Sequence, residues 1–174
     1  GCLYFNKTAP CKFCAIGADS VSQEEIVNRR NELLSALEIV ADDKKITNFH
    51  LTGGNTFNLD RGALDFIPYI RAILKSRPDA AIAVEISPPE LSCQETVFRQ
   101  LKLEGVHSIT MNMEFWDDAS RLELMPLKGA IPKEEYMSAY RTALQIFGKN
   151  KVTCGFIIEI EKLHASKAGI DAIT

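Results

Sequence analysis

Residues 81–89 read AIAVEISPP, a short apolar run that stops at a serine and two prolines. Such a run, bounded by turn residues, is typical of a strand in a parallel sheet. Similar runs begin near positions 46, 106 and 152, and each is followed by a stretch with the spacing of a helix. Strands that alternate with helices indicate βαβ units, and mostly apolar strands indicate that both faces of the sheet are covered.

The number of these units limits the architecture. A further strand around Cys2–Phe5 brings the total to about five βα units in one domain, residues 1–174. Because a complete eight-fold barrel needs about 250 residues, we predict an α/β fold with an open sheet or part of a barrel. The last helix begins near Ala165 and has no stop signal before Thr174. We therefore expect the native polypeptide to continue past Thr174 with at least one more strand.

The composition is that of an ordinary globular domain, with 46% hydrophobic and 25% charged residues and a net charge of −3. This balance gives no general attraction to nucleic acid or to anionic lipid. No segment approaches the roughly 18 apolar residues of a membrane span. The five cysteines, an odd number crowded toward the start, do not resemble a secreted disulfide framework. We therefore expect a cytoplasmic protein that binds neither membrane nor nucleic acid.

Polar side chains stand where the predicted strands end, as in Thr52, Glu85, Asn112 and Glu114. Ligands of parallel α/β folds bind at the carboxyl ends of the strands, so these positions are candidate site residues. A glycine pair, Gly53-Gly54, directly follows the first of these ends and lets the backbone approach a ligand closely. A tight turn between strand and helix is the alternative explanation of the pair.

Three thiols are crowded at the start of the chain, Cys2 and the Cys-x-x-Cys pair of Cys11 and Cys14. Taken alone, the pair fits zinc, a redox dithiol or an iron–sulfur site. Structural zinc sites usually combine two such pairs, and a redox dithiol usually opens a helix, so neither fits well here. Three cysteines in one loop can ligate three irons of a [4Fe–4S] cluster and leave the fourth iron open. The other two cysteines, Cys93 and Cys154, are expected to be buried structural thiols, and ligation of a second cluster is the alternative.

These residues resemble the radical S-adenosylmethionine (SAM) superfamily, whose common signature is Cys-x3-Cys-x2-Cys on the loop after the first barrel strand. Cys11 and Cys14 match the last two cysteines, and Phe13 is the aromatic residue before the last one. Lys7 stands where the first cysteine belongs, and the nearest thiol is Cys2, which gives Cys-x8-Cys-x2-Cys. The resemblance is to the biotin-synthase-like branch. It implies a partial TIM-type (βα)6 barrel, with Cys2, Cys11 and Cys14 as the cluster ligands.

The resemblance extends to residues that hold SAM in this superfamily. Gly53 and Gly54 resemble the Gly-Gly-Glu motif that binds the methionine amino group, with Asn55 in place of the glutamate. Asn112 and Glu114 resemble the Asn-x-Asp pair of biotin synthase, which holds the ribose hydroxyls. The resemblance thus implies that SAM lies across the strand ends.

Three further contacts with SAM are implied more loosely. Ile157 lies in a segment that resembles the start of the adenine-side motif, although the later residues of that motif differ. The usual arginine for the SAM carboxylate is missing from its helix, and Lys128 or Arg121 in the preceding loop is a substitute. Glu85 is placed to hold SAM or the substrate, and a plain salt-bridged carboxylate at the rim is the alternative.

The resemblance implies two cofactors, a [4Fe–4S] cluster and SAM. Together they generate a 5′-deoxyadenosyl radical that abstracts a hydrogen from the substrate, in a barrel mouth that we expect to be apolar. The implied partners are a small-molecule or acyl substrate and an electron donor such as flavodoxin or ferredoxin. Sulfur insertion into an acyl chain, as in biotin or lipoyl synthesis, is one candidate reaction.

Two other classes of protein stay open on the sequence. One is a non-catalytic zinc or iron–sulfur binding module on an α/β scaffold. The other is an α/β enzyme whose glycines bind phosphate, which would favour a helix immediately after the glycine loop. The residues that follow the glycine pair, NTFNLD at positions 55–60, do not begin a helix at once.

Overall fold

The computed structural model describes residues 2–6, 9–15 and 23–158 of the chain. From the second helix onward, each strand is separated from the next by one or two helices, as expected of βα units. The elements are α1 (Leu3–Asn6), α2 (Gln23–Asp42), β1 (Asn48–Thr52), a 3₁₀ turn (Ala63–Phe66), α3 (Ile67–Ser76), β2 (Ala81–Glu85), α4 (Gln94–Leu103), β3 (Val106–Thr110), α5 (Asp118–Leu124), α6 (Lys133–Phe147) and β4 (Val152–Thr153).

The four strands form one parallel sheet in the order β1-β2-β3-β4, which confirms the predicted parallel α/β architecture. The register pairs Thr52 with Glu85 and Glu85 with Thr110, so the carboxyl ends of the first three strands lie side by side. Beyond the regular ladder, a parallel bridge joins Glu114 to Phe156. This alignment places the loops that follow the strands at one rim of the sheet.

One face of the sheet packs against the helices and forms the main core. Ile82, Val84 and Ile109 are completely buried on this face. They share one apolar cluster with α2, α3, α4 and α6, including Ala41, Ile73, Phe98, Leu101 and Ala143. Burying a side chain of this size stabilises the fold by about 1.5–3 kcal/mol. The core therefore holds the strand ends in a fixed arrangement.

The opposite face of the sheet is partly exposed in the described residues, which corrects the expectation that both faces of the sheet are covered. Along β2 buried and partly exposed residues alternate. The partly exposed positions belong to a cavity of about 380 Å³ whose lining includes His50, Ala83, Ser108, Thr110 and Thr153. Small and hydrogen-bonding side chains therefore line this face in the described residues.

The start of the chain has a different structure from the one predicted. The strand expected around Cys2–Phe5 is wrong, because Leu3–Asn6 forms the helical turn α1. The described residues therefore contain four strands rather than about five strand–helix units. The stretch between β3 and α6 contains the short helix α5, whose N-cap Asp117 accepts a hydrogen bond of 2.8 Å from the Ser120 N–H.

The end of the described chain agrees with the sequence only in part. Gly148 ends α6 with a φ of 90°, a left-handed conformation that favours glycine. The last predicted strand contributes Val152–Thr153 to the ladder, and its end lies outside the described residues, as does the helix predicted from Ala165. Within the described ranges, no helix is long and apolar enough to cross a membrane.

Candidate functional site

Cys2 lies against the loop that follows β1. The Asn55 N–H donates a hydrogen bond of 3.3 Å to the Cys2 Sγ, and the Leu3 N–H donates to the Asn55 carbonyl at 2.8 Å. A side chain at position 54 would overlap both the backbone and the Cβ of Cys2. Gly54 is therefore required for this contact, and the structure joins the first cysteine to the glycine pair. Gly53 is less constrained, since an added Cβ would lie 3.2 Å from the Phe66 ring.

Cys11 and Cys14 lie in a second segment, which packs against the end of α5. The Cys14 N–H donates to the Cys11 carbonyl at 3.0 Å, and the Lys12 N–H donates to the Leu124 carbonyl at 2.7 Å. Phe13 is 38% exposed, and its ring meets the ring of Phe115 edge-on with 5.5 Å between the centroids. A local turn thus fixes the two cysteines relative to each other.

The other two thiols influence Cys11 electrostatically. Burial raises the pKa of Cys11 from 9.0 to about 11, and the nearby Cys14, Cys2 and Glu114 act in the same direction while Lys128 opposes them. All five cysteines are free thiols, and both Cys93 and Cys154 are only partly buried. Within the described ranges, no three His, Cys, Asp or Glu side chains are gathered closely enough to hold a single metal ion.

A buried ion pair lies beside Cys11. The Lys128 Nζ is 2.7 Å from the Glu114 Oε1, and the two side chains are only 14% and 15% exposed. Glu114 has a φ of 67°, and it is held in this left-handed conformation by backbone hydrogen bonds from its N–H to Gly155 and from the Ile157 N–H to its carbonyl. Ile157 in turn packs against the apolar cluster that Cys11 joins.

A second polar group lies at the ends of β1, β2 and β3. The Asn112 Nδ2 donates a hydrogen bond of 3.0 Å to the Glu85 Oε1, and the His50 Nε2 is 3.6 Å from the other carboxylate oxygen. A Cβ at Gly155 would come within 2.6 Å of the Asn112 Oδ1. The Glu85 carboxylate therefore orients the Asn112 amide nitrogen. The amide oxygen lies against the backbone of Gly155, where a larger residue would not fit.

The structure thus gathers the predicted site residues into two neighbouring groups. The first contains the cysteines with Phe13, Glu114, Lys128 and Ile157, and the second contains Glu85 and Asn112. Arg121, the alternative to Lys128, is 1% exposed and donates to the Ile131 carbonyl at 2.6 Å, so it is a buried structural residue. Asn55 stands where the Gly-Gly-Glu motif has its glutamate, and it binds the Cys2 segment through its backbone.

Sequence reasoning missed one ion pair at this rim. Arg61 donates hydrogen bonds to the Glu135 carboxylate and to the Pro88 carbonyl. The Arg61 and Glu135 side chains are 12% and 11% exposed, so the pair is largely buried. In the sequence, Glu135 fits an ordinary acidic residue in the first turn of a helix. The sequence offers one local indication of a special backbone here, which is the glycine directly after Arg61. In the structure both Arg61 and Gly62 have a positive φ.

The raised pKa of Cys11 predicts a loss of stability at alkaline pH. Between the ordinary thiol pKa of 9.0 and about 11, the folded chain binds the Cys11 proton more tightly than the unfolded chain. Its contribution is therefore complete at neutral pH and is lost as the pH rises through that range. We expect urea unfolding curves to show a smaller difference between neutral pH and about pH 10 for Cys11→Ala than for the native sequence. An identical difference for both proteins would show that Cys11 is not buried as described.

Comparisons with known proteins were made on both sequence and structure. Neither the protein-family models nor the curated protein sequences match this chain. Among solved structures, the chain is similar to coproporphyrinogen III oxidase (HemN) from Escherichia coli, which is a radical SAM enzyme, with a TM-score of 0.59 and 16% identity. The match covers 84% of this chain and 34% of that enzyme, so the chain spans about a third of its length. The likeness shows that the chain has a mixed α/β fold with a parallel sheet, similar to the TIM-barrel-like fold of a radical SAM enzyme.

Proposed function

We propose that the chain is the core of a radical SAM enzyme. The observation that carries the proposal is the position of the cysteines. Three free thiols lie beside the strand ends, and two of them raise the pKa of the third, Cys11, on a fold similar to that of HemN. Since many different chemistries share this general fold, the site rather than the fold supports the function.

The donor set fits an iron–sulfur cluster. Thiolates are the ligands that iron–sulfur clusters use, and Cys2, Cys11 and Cys14 would hold three irons. A four-iron cluster binds each thiolate through a different iron, so its ligands need not gather around one point. Lys128 favours the thiolate form of Cys11, which has to lose its proton to bind. When bound, the cluster supplies the electron that cleaves the sulfonium bond of SAM to methionine and a 5′-deoxyadenosyl radical.

The polar groups at the rim would hold SAM. We assign the methionine amino group to the backbone of Gly53 and Gly54, and the ribose hydroxyls to Asn112 and Glu114. Asn112 supports this assignment because its amide is already oriented by Glu85. Glu85 thereby positions a ligand-binding side chain, in addition to any contact that it makes itself.

Other residues would complete the SAM site from the side of the cysteines. Lys128 is assigned to the SAM carboxylate, and Phe13 and Ile157 are assigned to the apolar wall beside the cofactors. Lys128 is held by Glu114 at 2.7 Å in this structure, so binding a carboxylate requires it to share or exchange that partner. The pair keeps both charges satisfied while they are partly buried.

We propose a polar small molecule as the substrate, in preference to an acyl chain. The cavity of about 380 Å³ on the exposed face of the sheet is lined by the polar residues His50, Ser108, Thr110 and Thr153 together with Phe49, Ala81 and Ala83. A substrate that binds there meets hydrogen-bonding groups, and an aliphatic chain would leave them without partners at a cost in free energy. Flavodoxin or ferredoxin is proposed as the electron donor in a cytoplasmic setting.

Metal analysis of protein purified and reconstituted without oxygen tests the proposal. We expect iron and sulfide in equal amounts, about four of each per chain as in a [4Fe–4S] cluster, with a brown colour that dithionite bleaches. Zinc without iron, in a sample that takes up no iron on reconstitution, would instead indicate the non-catalytic zinc module. Iron that binds without sulfide would also contradict the proposal.

A further inference from the structure

The loops at the rim form a second cavity, which shares no lining residue with the cavity on the open face of the sheet. Its volume is about 260 Å³, and its lining comes from α1, from the loops after β1 and β2, and from the stretch between α5 and α6. None of the residues that we assign to the cluster or to SAM belongs to this lining in the described part of the chain. The rim cavity is therefore a separate candidate site, and its own side chains indicate which ligand it takes.

Aromatic and aliphatic side chains form one part of the rim cavity. The rings of Tyr4 and Phe57 pack together with 5.3 Å between their centroids. Tyr4 is buried, whereas Phe57 is 52% exposed, so a ligand can reach the ring of Phe57. Leu127 and Ile131 add aliphatic surface to the lining. This part of the cavity suits the apolar body of a small molecule.

Arg61 also lines the rim cavity, but its positive charge is already balanced. Its guanidinium donates hydrogen bonds to the Glu135 carboxylate and to the Pro88 carbonyl, and both bonds use the Nη1 nitrogen. The Arg61 and Glu135 side chains are largely buried as a pair. A ligand carboxylate or phosphate that approached Arg61 would therefore compete with Glu135 and be repelled by it.

Glu90 leaves a negative charge in the lining that is not balanced in this way. Its N–H donates to the Leu59 carbonyl at 2.8 Å, which fixes its backbone in the loop after β2. Within residues 2–6, 9–15 and 23–158, no cation lies at ion-pair distance from its carboxylate. Burial raises the pKa of the nearby Cys93, and the charges of Asp60 and Glu90 act in the same direction while Arg61 opposes them. The rim cavity therefore favours a ligand with a positive charge.

We propose that the rim cavity binds a small organic amine, with its ammonium group at Glu90 and its apolar body against Phe57. The carboxylate supplies the opposite charge, and the face of an aromatic ring attracts a cation. The volume admits only a small molecule, because sites for drug-sized ligands span about 300–1,000 Å³. The site uses none of the residues that we assign to the cluster or to SAM, so it stands independently of the proposed function.

Titration of the whole metal-free chain with three compounds of similar size tests the proposal. Benzylamine is a cation at neutral pH, benzyl alcohol is neutral and benzoate is an anion, and all three carry the same ring. The methyl signals of Leu127 and Ile131 in NMR spectra report binding in the rim cavity. We expect benzylamine to bind about fivefold more tightly than benzyl alcohol, the ratio that a partly exposed ion pair and a cation–π contact give together. Benzoate should bind most weakly.

Glu90→Gln separates the charge of the carboxylate from the shape of the cavity. The two side chains have nearly the same volume, so benzyl alcohol should bind this variant as it binds the native chain, while benzylamine should lose its advantage. Glu95→Gln is the matched control, because Glu95 lies on α4, pairs with Arg99 and is exposed. This variant should leave the affinities for all three compounds unchanged.

Several results would overturn the proposal. The first is the absence of a saturable benzylamine shift at Leu127 and Ile131, and the second is an affinity for benzyl alcohol or benzoate that equals or exceeds the affinity for benzylamine. Shifts confined to the methyl groups of Thr110 and Thr153 would place the amine in the cavity on the open face instead. An equal loss of benzylamine binding in Glu90→Gln and Glu95→Gln would show a general attraction to negative charge. Since the titration uses the metal-free chain, its failure would leave the proposed function untouched.

Discussion

Replacing Cys11 or Cys14 with alanine is expected to abolish the reductive cleavage of SAM. Each thiol would hold one iron, so its loss removes one of the three ligands of the cluster. Both replacements leave the local backbone turn intact, because that turn joins the Cys14 N–H to the Cys11 carbonyl. The measurement is the 5′-deoxyadenosine formed per chain with dithionite as the reductant. The same loss is expected for Cys2→Ala, whose thiol completes the set.

Cys93→Ala is the matched control for these replacements. The Cys93 thiol donates to the Leu59 and Glu90 carbonyls at 3.3 and 3.4 Å, and it has no part in the proposed cofactor site. This variant should therefore retain its iron and form 5′-deoxyadenosine at the native rate. Full cleavage by Cys2→Ala would remove Cys2 from the ligand set, and full cleavage by Cys11→Ala or Cys14→Ala would refute the cluster assignment.

Asn112→Ala is expected to weaken the binding of SAM by about 1–3 kcal/mol, the usual cost of leaving a polar partner without its hydrogen bond. The change removes the amide that we assign to a ribose hydroxyl and frees the Glu85 carboxylate to which it donates at 3.0 Å. Isothermal titration of the reconstituted protein with SAM measures the affinity. Gly155→Ala should act in the same direction, because the added methyl group would displace the Asn112 amide.

Asn31→Ala provides the matched control for the loss of an asparagine. Asn31 lies at an exposed position of α2, so its replacement should leave the affinity for SAM unchanged. Equal affinities for the native chain, Asn112→Ala and Asn31→Ala would remove Asn112 from the site. A uniform loss in both variants would point to a general change in the fold.

The parallel sheet could be predicted from the sequence because its signals are local. Each strand is a short apolar run, each is followed by a helical pattern, and the order alone implies parallel pairing. The two-faced character of β2 was missed because the alanines at positions 81 and 83 count as apolar residues. In the fold their small side chains face the cavity, while Ile82 and Val84 face the helices.

The contacts that build the site join residues far apart in the chain. Asn55 and Cys2 are separated by 53 positions, and Arg61 and Glu135 by 74 positions. Periodicity describes neighbours along the chain and carries no information about such pairs. The candidate residues could therefore be named from motifs and strand ends, while their partners required the structure. The first segment illustrates the same limit, since its apolar run fits a strand as well as a short helix.

The production of 5′-deoxyadenosine by the reconstituted native chain tests the central claim most directly. The protein, loaded with iron and sulfide without oxygen, is incubated with SAM and dithionite, and the products are separated by chromatography. The account predicts 5′-deoxyadenosine and methionine in equal amounts, and neither product when dithionite is omitted or when Cys14→Ala is used. A chain that holds iron and sulfide and binds SAM, yet forms no 5′-deoxyadenosine, would contradict it.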